Sequence, residues 1–178
     1  MRRSQTLSAA IAAGLLAFCA SGAQAQPTRP PPTRGQVAQI AAKRQAFCEG
    51  VKQLGALAKT DFRSIKRGLK PGSDLFYSSA LTLPDASDCY IVTIKGETNH
   101  TCSFPSRPEV MEAQIRGMTN LLARCLGVPP PQVTTDEMGS ASAIISDGVR
   151  YALQTNDFEN EPVDVSLNVE KWNKPPPR

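Results

Sequence analysis

The sequence predicts an α+β domain: an antiparallel sheet of about six strands with two long helices on one face, in the order helix, short helix, three strands, helix, three strands. Three observations carry that expectation. Cys89 to Ile94 and the residues after Lys95-Gly96 form a β-branched, turn-linked pair of strands. Ala141 to Ser146 and Val149 to Thr155 flank Asp147-Gly148, and Val163 to Glu170 alternates strictly, so a second group of strands follows. Between them, Met111, Ile115, Met118, Leu122 and Cys125 recur at helical spacing and mark one apolar stripe.

The chain opens with Arg2 and Arg3, an apolar run from Leu7 to about Ala20, and Ala23-Gln24-Ala25. Residues 1–25 therefore read as a cleaved secretory signal peptide of bacterial, alanine-rich type. The apolar run is too short for a membrane anchor, and Phe18 is bulky where a lipidated Cys19 needs a small neighbour. Residues 26–35 form a proline-rich linker, 36–172 the domain, in which Trp172 can pack back, and 173–178 a frayed tail.

The first helix is expected from about Gln36 to Ala58, with Val37, Ile40, Phe47, Cys48, Val51 and Leu54 on its apolar face. Gly50 and Gly55 weaken it or let a neighbour approach closely. Thr60 to Leu69 reads as a second, short helix, with Phe62, Ile65 and Leu69 on one side. Lys59, Arg63, Lys66, Arg67 and Lys70 cluster opposite, as a basic stripe suited to an acidic partner or to an anionic cell-wall or lipid surface. Pro71 to Asp74 turns the chain into a strand from Tyr77 to Leu83, and Pro84 to Asp88 turns it again.

With Lys95-Gly96 as a two-residue loop, Ile94 faces Glu97 and Cys89 faces Cys102. Counting outward puts the cysteines on a non-hydrogen-bonded pair, where side chains come closest and a disulfide fits. The long second helix opens at Ser106, whose spacing to Glu109 suggests a capping box, and Pro108 suits the first turn. Gly127 is the expected C-cap, and Pro129 to Pro131 forbids continuation. A polar loop to about Ser140 precedes the final strands. Helix, strands, helix, strands makes two loosely similar units with no residue-level repeat. The element order resembles that of small secretion chaperones in architecture alone, with a strand where those end in a helix.

Four cysteines follow the signal segment: Cys48, Cys89, Cys102 and Cys125. An even number in an exported chain implies a disulfide framework. If Cys89 and Cys102 pair, Cys48 and Cys125 remain to join the two helices. Zinc is disfavoured, because no CxxC pair exists and His100 is the only histidine.

Without Arg2 and Arg3, eighteen basic residues face sixteen acidic ones. The two signs are segregated: Gln36 to Lys70 holds eight basic and two acidic residues, and Gln132 to Glu170 eight acidic and one basic. The excess is too small, and too poor in interleaved aromatics, for a nucleic-acid binder. A Ser-His-Asp or Cys-His site would have to use His100, which reads as a surface or cross-strand residue. No Walker loop, G-x-G-x-x-G, H-E-x-x-H or G-x-S-x-G is present, and no cofactor is implied. The expectation is a small exported, periplasmic or secreted, non-catalytic binding or accessory protein of inhibitor or immunity type, with an envelope protein or anionic cell-wall component as partner. The competing expectation is a polysaccharide hydrolase using carboxylates among Asp136, Glu137, Asp157, Glu159, Glu161 and Asp164.

Overall fold

A computed structural model describes residues 31–136, 139–156 and 163–172. The expected signal peptide, residues 26–30 of the linker and the 173–178 tail lie outside the described residues. The chain divides into residues 1–32 and 33–178, and the fold below is that of the second unit.

Helix α1 (Arg34–Ala58) starts two residues before its apolar periodicity suggests. Thr33 Oγ1 accepts from the Gln36 amide at 3.3 Å, and Gln36 Oε1 accepts from the Thr33 amide at 2.8 Å. The two bonds form a reciprocal capping box. The buried stripe begins only at Phe47 and continues through Val51, Leu54 and Ala58. Val37 and Ile40, expected on the core face, are 52% and 46% exposed. Gly50 and Gly55 do admit neighbours: a Cβ at either position would run into Leu83 or the Tyr151 hydroxyl.

The expected short helix from Thr60 to Leu69 does not form. Asp61 and Phe62 both take positive φ, 54° and 55°, which ends helical geometry at once. Phe62 is fully buried against His100, with ring centroids 5.6 Å apart, and this burial offsets the strained backbone. The chain then enters strand β1 (Lys66–Leu69), followed by β2 (Phe76–Ser79), which stops well short of the Leu83 expected.

Strands β3 (Asp88–Ile94) and β4 (Glu97–Pro105) pair as the sequence indicates, with Ile94 opposite Glu97 and Cys89 opposite Cys102. Lys95 and Gly96 both have positive φ, as a type I′ turn requires. The Cys89–Cys102 disulfide spans 4.2 Å between Cα atoms, close to the spacing of a non-hydrogen-bonded pair.

The Ser106–Glu109 capping box is absent. A 3-10 turn (Pro108–Val110) leads into α2 (Met111–Leu126), and no side chain caps it. The stripe itself holds: Ile115, Leu122 and Cys125 are buried, with Met111 and Met118 packed at the margin. Gly127, in the left-handed region at φ 68°, closes the helix by donating to the carbonyls of Ala123 and Arg124.

The polar loop after α2 contains a short strand, β5 (Thr134–Asp136). Then come β6 (Gly139–Ser146), β7 (Val149–Asn156) and β8 (Asp164–Lys171), with Asp147-Gly148 forming the expected turn. Val165, Leu167 and Val169 point into the core. The Trp172 amide folds back to donate to the Gly148 carbonyl at 2.8 Å.

The sheet has eight strands rather than six, ordered β1-β2-β3-β4-β8-β7-β6-β5 and antiparallel throughout. The difference is β1, expected as helix, and β5, expected as loop. Both helices lie on one face and touch each other. The Cys48–Cys125 disulfide ties them with a Cα separation of 4.9 Å. Helix α1 packs on β4 and β8, and α2 on β6, β7 and β8. Beneath them Leu54, Ile91, Phe104, Ile115, Tyr151, Val165 and Leu167 belong to one continuous core.

Candidate functional site

The five basic residues singled out by the sequence do not share one face. Lys59 caps the end of α1, Arg63 lies in the turn around Phe62, and Lys66, Arg67 and Lys70 follow on or just after β1. Lys66 Nζ sits 3.6 Å from the Tyr77 ring centroid and 3.0 Å from Thr93 Oγ1. Lys70 pairs with Asp88 and lies 4.9 Å from the Tyr90 ring centroid. Tyr77 pairs with Ile91 and Tyr90 with Ser78, so the two rings, and the two lysines, occupy opposite faces of the sheet. Lys59, Arg63 and Arg67 are exposed. They are strung along the segment that runs from the end of α1 to the sheet's outer strand. Arg63 makes one exposed contact, 3.6 Å from Asp61, which is worth little in water.

His100 is fully buried on the helix-facing side of β4, not on the surface. Its Nε2 lies 2.9 Å from Ser79 Oγ and 3.3 Å from the Leu81 carbonyl, and its Nδ1 lies 3.8 Å from Cys102 Sγ. Burial pushes its pKa down to about 4, against a small opposing effect of the Leu81 carbonyl. This is a neutral structural imidazole. Ser79 Oγ already donates to Leu81 O at 2.8 Å, and no carboxylate among the described residues orients the ring, so the Ser-His contact lacks the geometry of a nucleophile and base.

All four described cysteines are in disulfides. Among the described residues, no group of His, Cys, Asp or Glu side chains could hold a metal ion. Of the carboxylates proposed for hydrolysis, Glu137, Asp157, Glu159 and Glu161 lie outside the described residues. Asp136 pairs with Gly139 on the outer strand β5, and Asp164 pairs with Asn156 on β8, so strands β6 and β7 lie between them. Asp164 instead accepts from Asn156 Nδ2 at 2.7 Å.

One site the sequence reading missed is a cavity of about 300 Å³ between α1, the end of α2 and the β6–β7 turn. Lys52, Gly55 and Lys59 line its α1 side, and Asp147 and Tyr151 the other. Its sequence signal was Gly55, whose lack of a side chain makes room for the Tyr151 hydroxyl.

No helix among the described residues is long and apolar enough to cross a membrane. No protein-family model, curated protein or solved structure matches the chain. Fold and site together define a class only: an α+β protein with two helices on one face of an eight-stranded antiparallel sheet, held by two disulfides.

Proposed function

We propose that the chain is a small exported binding or accessory protein with no catalytic step of its own. It engages an acidic surface of an envelope protein, or an anionic cell-wall polymer, through Lys59, Arg63 and Arg67. The observation that carries the reading is that these three cations are exposed along one segment, while Lys66 and Lys70 are held against the sheet. Export is supported by the complete pairing of Cys48, Cys89, Cys102 and Cys125, since such bonds persist in oxidising compartments. A carboxylate hydrolase has weaker support, because its two described candidates, Asp136 and Asp164, lie on strands separated by β6 and β7.

The test is Arg63→Glu with Arg67→Glu, assayed by co-sedimentation with purified anionic cell-wall polymer and by capture from an envelope extract, both over a salt series. Binding should fall at least several-fold and weaken with salt, since exposed charges are screened within about 10 Å at 0.1 M. Stability should move by less than about 0.5 kcal/mol. Unchanged binding by the double variant would remove the basic segment from the account.

A specific observation favours a second role for Arg67. Strand β1 ends the sheet, is four residues long, is irregular between Lys66 and Leu69, and is basic. These are the features that keep open edges from pairing with other chains. Arg67→Thr would then raise self-association, read by analytical ultracentrifugation, in addition to weakening capture.

A further inference from the structure

The cavity beneath the β6–β7 turn holds chemistry that the fold does not use. Tyr151 is only 3% exposed, yet its hydroxyl makes no hydrogen bond among the described residues. Among the described residues no fully enclosed side-chain polar atom lacks a partner, so this oxygen opens onto the cavity. It reaches the α1 backbone only because position 55 is glycine, where a Cβ would collide with it. The arrangement is built rather than incidental: α1 gives up helix propensity at Gly55, and the gain is a phenol hydroxyl delivered to a space of about 300 Å³. That volume lies at the lower end of small-molecule sites.

The charges around the hydroxyl are also unspent. Lys52 and Lys59, seven residues apart on α1, make no ion pair among the described residues, and neither does Asp147 across the cavity. A plain anion would meet the Asp147 carboxylate. A plain cation would meet two ammonium groups. A ligand with both signs satisfies both walls.

We propose that this cavity binds a small zwitterion of the amino-acid type. Lys52, Lys59 and the Tyr151 hydroxyl hold its carboxylate, and Asp147 holds its ammonium group. Burial, with the nearby Asp147 carboxylate adding to it, raises the Tyr151 pKa above its ordinary value. The phenol therefore stays protonated at neutral pH and can donate. The site shares Lys59 with the basic segment proposed above but does not depend on it.

The experiment is an amide-resolved NMR titration of the full chain, disulfides intact, with glycine, acetate and methylammonium as separate probes. Glycine should shift the Gly55 and Val149 amides saturably and bind more tightly than either single-charge probe. Tyr151→Phe, which keeps the buried ring, should weaken glycine binding about tenfold, the effect of one hydrogen bond to a charged group. Lys52→Ala, a surface change that leaves the fold intact, should weaken it by a similar factor. Arg63→Glu with Arg67→Glu should leave it unchanged, which separates this site from the basic segment. Acetate binding as tightly as glycine would overturn the zwitterion assignment, and no saturable shift with any probe would show the cavity to hold water alone.

Discussion

The two sides of the sheet are covered by different means. Strands β6, β7 and β8 lie beneath α2, and their alternating side chains meet its regular stripe. Strands β1, β2 and β3 have little helix above them. Their cover is the irregular stretch around Phe62, Ile65 and Leu83, which reaches the core through a left-handed turn at Asp61-Phe62. Regular cover follows from periodicity. Irregular cover depends on one buried anchor, and its chain path is set by that anchor rather than by local preference.

The largest effects should come from the two staples, one in each kind of structure. Cys48–Cys125 closes a 77-residue separation between the helices, and Cys89–Cys102 only 13 within a hairpin. Chain-entropy arguments give about 4.5 kcal/mol for the first and about 3 kcal/mol for the second. Cys48→Ala and Cys125→Ala should each lower denaturant stability by the larger amount, and the double variant by little more, because partners in one bond are not additive. Equal losses from the two bridges would weaken the distinction between them.

Next is the acid response of the irregular side, where Phe62 packs on His100. The folded pKa of His100, about 4, lies below the ordinary 6.5, so the unfolded chain binds the extra proton. This contribution is complete above pH 6.5 and disappears as pH falls toward 4. At 1.36 kcal/mol per pKa unit the loss is about 3 kcal/mol. Denaturant titrations from pH 7 to 4 should show it, and His100→Gln should flatten that part of the curve.

The smallest effects compare the helices through one substitution. Gly117→Ala on α2 meets nothing within 4 Å and should gain about 0.5–1 kcal/mol from helix propensity. Gly55→Ala on α1 drives a methyl into the Tyr151 hydroxyl and should lose about 1–3 kcal/mol. Tyr151→Phe should recover part of that loss. A gain from Gly55→Ala alone would show that the close approach is not tight.

The sequence made legible what rests on repeat spacing. The β3–β4 register, the α2 stripe, the Asp147-Gly148 turn and both cysteine pairings follow from side-chain period and turn chemistry. It misled where two patterns coincide: Phe62, Ile65 and Leu69 sit at helical spacing, but Phe62 takes a left-handed backbone that bulky residues rarely adopt. The basic stripe dissolved with that helix, because the irregularity between Lys66 and Leu69 sends Lys66 and Lys70 to opposite faces of the sheet. The Thr33–Gln36 cap was overlooked inside a proline-rich context, while the more familiar Ser106–Glu109 spacing formed no cap. The Tyr151 cavity joins residues nearly a hundred positions apart, and only Gly55 hinted at it.

The account rests on reactive groups being used for structure: four cysteines in two bonds and a single buried imidazole, leaving surface charge for binding. Peptide mapping of the natively purified protein, alkylated without reductant, tests this most directly. The result expected is two linked peptide pairs, Cys48 with Cys125 and Cys89 with Cys102, and no alkylated cysteine among the four. Alkylation of any of them, or a Cys48–Cys89 link, would contradict the fold and return a free thiol to the chemistry of the chain.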